Sequence, residues 1–297
     1  MAPTRSLSYN AEQVRRLDHD RFLCSLFAPD SRREALFALY AFNLEVARIR
    51  EVVSEPILGA IRLQWWRETI ERIYAGTREA QGISAGHAVV AGVREAVRRY
   101  DLTRAHFERL LEARAFDLED ERLADLDALV AYAEGTSATL TTLALEVVCA
   151  GEEEDRRGRP SDTATAAGRH TGIAWALTGL LRAVGFHARA GRLYLPESLL
   201  EKAGVRPSDV FALRPSSALA SVAETVADCA RSHLGAAREL RGRVPRAAHP
   251  ALLPAVLAGA YLGRLGRARY DVFDPGLAIP KLGRQLRLLA AVAARRY

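Results

Sequence analysis

The 297-residue sequence predicts an all-α protein. Three observations carry that expectation. Alternating β-branched residues are almost absent, the helix formers Ala, Leu, Arg and Glu dominate, and apolar residues recur at helical spacing along most of the chain. Hydrophobic residues make up 49% and charged residues 26%, which suits a globular protein with a sizeable core. No internal repeat or low-complexity linker interrupts the pattern, so a single domain of stacked helices over residues 1–297 is the expected organisation.

Taken in order, the first helix is expected over Ala11–Ala28, with Val14, Leu17, Phe22, Leu23 and Leu26 inward and Pro29–Asp30 as its break. Ser31, with Glu34 three residues on, has the form of a capping box that opens the next helix. Leu36, Leu39, Phe42, Val46, Ile49 and Val53 then recur at helical spacing. The residue before a proline avoids the helical region, so Glu55–Pro56 sets the stop near Ser54. Ile57–Tyr74 carries Trp65 and Trp66 and ends at Gly76. Ser84–Tyr100 and Thr103–Phe116 read as amphipathic helices. Asp125–Ala150 is long and apolar, and its Gly135, Ser137 and Ala138 are small enough for close helix approach. The charged run Gly151–Pro160 reads as a surface loop. After Ser161–His187, a connector punctuated by Gly191, Pro196 and Gly204 leads to helices over Ser216–Gly242 and Pro250–Tyr270 and a last one from Ile279.

Charge and cysteine usage narrow the function classes. The net charge is +6 with a pI near 9.5, compatible with anionic membrane surfaces, diphosphates or acidic protein partners. Zinc-finger and helix-turn-helix signatures and an aromatic–basic stripe are all absent, so nucleic acid is not an expected partner. Cys24, Cys149 and Cys229 stand alone in apolar helical contexts and read as free buried thiols of a reducing compartment. The N-terminus lacks the apolar core of a secretory signal, and no window of about 18 residues is apolar enough to span a bilayer. The expected location is the cytoplasm, or the inner face of the cytoplasmic membrane. Arg264, Arg267, Arg269, Lys281, Arg284, Arg287, Arg295 and Arg296 concentrate cation in the last two helices, either as a solvated basic face or as a contact for anionic lipid.

Catalytic motifs are few. The chain has no GxSxG turn, no HExxH or CxxC spacing, and neither GxGxxG nor a Walker sequence. A helical bundle can hold Mg²⁺ through carboxylates one turn apart, so the acidic pairs need weighing. Asp117 and Glu121 have the spacing, but their run FDLEDERLAD is so uniformly charged that it reads as a solvated face. Glu51 and Glu55 also have it, but Pro56 takes Glu55 out of register. Glu45 has only Ala41 and Ile49 one turn away. Arg48 and Arg50 beside these acids repel a divalent cation. By spacing alone, this helix is a poor metal site.

Five stretches nevertheless go together: YAFN (Tyr40–Asn43), QWWRE (Gln64–Glu68), YAEGTSA (Tyr132–Ala138), LLRAVGFHARAGRLYLPES (Leu180–Ser198) and RYDVFDPGLAIPKLGR (Arg269–Arg284). Jointly they resemble the squalene/phytoene synthase family over nearly the whole chain. The resemblance implies an all-α, isoprenoid-synthase-like bundle around a central cavity. It also implies enzymes that join two prenyl diphosphates head to head on Mg²⁺ held by two aspartate-rich motifs. At those motifs the chain departs from the pattern. Ala47 and Arg48 stand where the first motif's acids would be, leaving Glu51; Ala183, Phe186 and His187 stand where the second motif has three acids. The expectation is therefore a pseudo-enzyme with no catalytic residues, no metal and no cofactor. Tyr40, Asn43, Glu51, Arg182, Arg192 and Tyr194 would line what remains of the cavity. FNLEVARIREVVSEPILGAIRLQWWRE looks most like a non-catalytic branch that serves respiratory complex I assembly. Complex I subunits or assembly intermediates, with peripheral membrane or isoprenoid contact, are the implied partners. Two alternatives stay open: an active Mg²⁺-dependent prenyltransferase using Glu51 with Glu55 or Asp117, and a protein that binds isoprenoid or other lipid without turnover.

Overall fold

Every regular element among the described residues of the computed structural model is helical. Those residues are 6–53, 55–76, 82, 86–119, 121–151 and 158–297. They divide into two compact units, each assembled from separate stretches. The first comprises residues 1–119, 139–165 and 245–251, and the second 120–138, 166–244 and 252–297. Among the described residues no helix is long and apolar enough to cross a membrane.

The first unit opens with α1 (Tyr9–Leu17) and α2 (His19–Ser25). A single helix over Ala11–Ala28 was the expectation, and Asp18 divides it. Its carboxylate accepts the Arg21 backbone N–H at 3.2 Å and pairs with the Arg21 guanidinium at 2.8 Å, which makes Asp18 an N-cap inside the run. The next helix, α3 (Asp30–Ala47), starts directly behind Pro29 with no side-chain cap, so the Ser31–Glu34 capping box does not form. Ser31 falls in the first turn, where Asp30 pairs with Arg33 at 2.5 Å. Arg48 breaks the helix at φ −98°, ψ 4°; α4 (Ile49–Val52) follows, and Val53 is extended. Helix therefore ends at Val52, short of Ser54, which lies outside the described residues. Pro56 occupies the first position of α5 (Pro56–Ala75), where its missing N–H costs nothing, and Gly76 ends the helix at φ +65°.

Burial identifies α3 as the centre of this unit. Every residue from Ala35 to Asn43 is buried, which marks a helix enclosed on all sides rather than one with a single apolar stripe. It packs against α1, α6 (Ala88–Tyr100) and α9 (Thr139–Cys149). Phe42 sits edge-on to Trp66 of α5 at 4.9 Å and to Phe107 of α7 (Arg104–Ala115) at 5.5 Å between ring centroids. Two long-range polar contacts close the helix ends. The buried Glu146 carboxylate accepts the Thr103 backbone N–H at 3.0 Å and the Thr103 hydroxyl at 2.5 Å, placing negative charge at the start of α7. Arg32 donates to the Val147 and Ala150 carbonyls, both at 2.6 Å, and so satisfies the end of α9.

In the second unit, Asp125 caps α8 (Leu126–Ala133) by accepting the Ala128 N–H at 2.8 Å. The expected uninterrupted helix over Asp125–Ala150 carries a π-helical turn at Glu134–Ala138. Here α10 (Asp162–Arg189) comes so near that a β-carbon on Gly172 would fall on the Ala138 backbone. Gly191, at φ +70°, ends α10. The connector after it is pinned by Glu197 and Ser198 N–H groups donating to the Leu123 and Ala124 carbonyls at 2.8 and 2.9 Å. Next come α11 (Glu197–Lys202), α12 (Pro207–Phe211) and the Ser216-capped α13 (Ser217–Glu239). The chain returns to the first unit through α14 (His249–Leu252) and then continues in the second through α15 (Pro254–Arg267) and α16 (Lys281–Ala293). α15 packs on both α13 and α16.

Candidate functional site

The six residues singled out by sequence are shared between the units and do not form one cluster within either. In the first unit, Tyr40 is buried with the Arg21 guanidinium 5.5 Å from its ring centre, and burial pushes its phenol well above the ordinary value despite the opposing cation. Asn43 is buried beside it on α3, whereas Glu51 lies on the surface, paired with Arg48 at 3.0 Å. In the second unit, Arg182 places its guanidinium 3.5 Å over the Tyr261 ring, a close cation–π contact. Arg192 donates to the Tyr194 hydroxyl at 3.2 Å.

Tyr194 is the middle of an aromatic stack, 5.6 Å from Tyr132 and 4.8 Å from His187. His187 therefore belongs to this group, while Phe186 projects outward at 56% exposure, 5.4 Å from the His187 ring. Leu129, Leu181, Val184 and Val226 close around the stack and leave a void of about 10 Å³, no more than one water could occupy. This part of the second unit is packed, not open.

An open pocket lies within the first unit, and spacing did not reveal it. Its volume is about 600 Å³, in the range of small-molecule sites. Leu44, Ile49, Ile61 and Trp65 supply apolar wall, and Glu45, Arg48, Arg62 and His87 supply the polar groups. Glu45 and His87 meet at 3.5 Å across it. His87 also begins α6, where its Nδ1 accepts the Val90 N–H at 3.4 Å; that leaves Nε2 to carry the proton toward Glu45. Burial raises the Glu45 carboxyl above its ordinary value, with His87 and Arg62 opposing the shift. Trp65 and Trp66 flank His87 at 5.4 and 5.7 Å. Tyr40, Asn43 and Glu51 do not line this pocket. Asp117, read as part of a solvated face, is buried and paired with Arg114 at 3.0 Å, while Glu119, Glu121, Arg122 and Asp125 of the same run are exposed.

A model of squalene/phytoene synthase matches residues 14–285. The chain belongs to the squalene/phytoene synthase family. It is 32% identical over 269 residues to NADH dehydrogenase (ubiquinone) complex I, assembly factor 6, of Bos taurus, covering 91% of this chain and 76% of that one. The presqualene diphosphate synthase of Rhodopseudomonas palustris is 29% identical over 219 residues, covering 73% and 72%. Among solved structures, a dehydrosqualene synthase superposes with a TM-score of 0.79 at 15% identity, over 96% of this chain and 95% of that one, which establishes the shared all-α fold.

Squalene/phytoene synthase chemistry implies Mg²⁺, and the donors at the positions in question do not suit it. Ala47, Ala183 and Phe186 carry no oxygen ligand, and Arg48 is a cation already paired with Glu51. Among the described residues no group of three or more His, Cys, Asp or Glu could hold a metal ion.

Three histidines are placed where burial couples their protonation to folding. His170 and His233 meet Nδ1 to Nδ1 at 2.9 Å, a hydrogen bond that requires at least one neutral ring. Burial lowers both below the ordinary 6.5; Arg169 lowers them further and Glu134 opposes. Burial likewise lowers His106, against the attraction of Glu146 3.6 Å away. A group depressed on folding contributes stability that is present above its unfolded pKa and lost as pH falls below it. The raised Glu45 acts in the opposite sense but alone. The melting temperature is therefore expected to fall between about pH 7.5 and pH 5.5, and the double variant His170→Gln/His233→Gln to flatten the curve. Calorimetry across that window checks it, and identical slopes for both proteins would refute the role of the pair.

Proposed function

We propose that this chain acts by binding, not by prenyl transfer, and that its role lies in the assembly of NADH dehydrogenase (complex I). The observation that carries the reading is the identity of about a third with the mammalian assembly factors, which runs along nine-tenths of the chain. The donor set supports it. Departure of a diphosphate develops negative charge that metal ions and basic groups must stabilise in an apolar site, and one surface carboxylate paired with arginine does not organise such a cluster. Complex I subunits or assembly intermediates are the partners, at the inner face of the cytoplasmic membrane, with no metal, organic cofactor or nucleic acid involved. Tyr40, Asn43, Arg182, Arg192 and Tyr194 serve this role as the packed frame that outlasted the chemistry.

Two experiments test the reading. A strain lacking the gene is expected to lose NADH:quinone oxidoreductase activity and to regain it from a plasmid copy; normal activity in the deletion strain sinks the assembly role. Purified protein given Mg²⁺ and farnesyl or geranylgeranyl diphosphate is expected to form no hydrocarbon or presqualene product. The identity with presqualene diphosphate synthase favours the competing prenyltransferase reading. Product that disappears on Glu51→Ala would establish that reading instead. The 600 Å³ pocket adds a further element, room for an isoprenoid or other lipid held without turnover, and mass spectrometry of the purified protein for co-purifying lipid reads that out.

A further inference from the structure

We infer that α16 (Lys281–Ala293) is an in-plane membrane anchor whose exposed leucine stripe enters the acyl boundary of an anionic lipid surface. This deepens the membrane placement above by naming the surface and the lipid chemistry.

The helix has two opposite sides. Leu288 is fully buried, with Arg284 and Ala291 partly covered one turn to either side, and these three form the packed edge against α15. Buried Ile279 before the helix and buried Tyr297 after it fix that edge; the Tyr297 hydroxyl donates to the Ala237 carbonyl of α13 at 3.3 Å. At about 100° per residue, Leu282, Leu286, Leu289 and Ala293 fall on the diametrically opposite side. The three leucines are 64%, 56% and 55% exposed. They succeed one another at four and three residues, so they form one continuous apolar ridge. Ordinary surface helices turn such a stripe inward; this one presents it to solvent while a second, narrower edge does the packing.

Charge indicates what covers the ridge. Lys281 and Arg287 are exposed on the sides of the helix away from the ridge, Arg295 and Arg296 are exposed just beyond its end, and the sequence from Pro275 to Tyr297 contains no Asp or Glu. A leucine ridge on an acid-free basic segment complements anionic headgroups above an apolar phase. The ridge is convex, which suits insertion between lipids; a peptide ligand would need a groove. Pairing with the same helix of a second copy would bring two acid-free basic surfaces together over fewer than two heptads, too short for a stable two-helix seam.

The test uses the full chain in flotation with vesicles of phosphatidylcholine alone or mixed with phosphatidylglycerol. Wild type is expected to float with the mixed vesicles, to stay behind with phosphatidylcholine alone, and to be released by high salt. The variant Leu286→Asp/Leu289→Asp is expected to lose roughly tenfold or more in partitioning, and Lys281→Glu/Arg287→Glu to lose binding to a similar degree, both with unchanged melting temperature because these side chains are exposed. Absence of flotation, equal binding to neutral vesicles, or variants that bind like wild type would overturn the proposal. So would a concentration-dependent dimer in analytical ultracentrifugation that Leu286→Asp abolishes, since the ridge would then be a self-interface. Because the readout is lipid binding, it fails or succeeds independently of the oxidoreductase phenotype.

Discussion

Replacing Phe42 by alanine is expected to lower the stability of the protein by about 3–5 kcal/mol. The ring is fully buried at the middle of α3 and meets Trp66 and Phe107 edge-on, so truncation removes burial, two favourable ring contacts and the packing on three helices at once. The enclosure of α3 on all sides leaves little room for the surroundings to collapse into the cavity, which places the cost toward the upper end of that range. Phe42→Leu keeps most of the volume and is expected to lose about 1.5 kcal/mol or less. Urea titrations of the two variants check the ordering. An alanine variant within about 1 kcal/mol of wild type would mean that the three rings do not form the core of the first unit.

The second large effect is at Gly172. A β-carbon there would overlap the backbone of Ala138 and come close to the Ser137 carbonyl, and backbone, unlike the end of a long side chain, cannot swing away. Gly172→Ala is expected to cost about 3 kcal/mol and Gly172→Val to prevent accumulation of folded protein. Gly179, about two turns further along α10 on nearly the same face, supplies the control, since a β-carbon at that position meets nothing within 4 Å. Gly179→Ala is expected to be neutral or stabilising by up to about 1 kcal/mol, because alanine restricts the unfolded chain and favours helix. Equal melting temperatures for the two alanine variants would show that the close approach of α10 to the π turn is absent in solution.

Helix content was legible because periodicity is local: Leu36, Leu39, Phe42 and Val46 recur as a buried helix must, and the proline and glycine at positions 56 and 76 bracket α5 as expected. The misjudged boundaries depend on competition between neighbours. Asp18 divides the first helix because its carboxylate finds the Arg21 N–H, and Ser31 loses its cap because Pro29 already starts the next helix two residues earlier. The small residues of the π turn were noticed, but its extra residue answers to α10, far along the chain. Site residues were harder still. Tyr40, Asn43, Arg192 and Tyr194 came from motif resemblance, and of these Tyr40 and Asn43 are buried, while the first unit's pocket rests on Glu45 meeting His87 and on Trp65, a pairing that one-turn spacing could not reveal. Asp117 was misjudged for the same reason: in a run of charges, only three-dimensional packing distinguishes the one carboxylate that turns inward to Arg114.

The interleaving of the two units has a consequence for biosynthesis. The first unit takes in residues 139–165 and 245–251 as well as the N-terminal stretch, so it is incomplete until most of the chain has left the ribosome. Arg32 waits for the carbonyls of Val147 and Ala150, and the start of α7 waits for Glu146. Until then the side of α3 that packs against α9 stays uncovered in the nascent chain. Such contacts, distant in sequence, are expected to slow folding relative to a simple helical bundle.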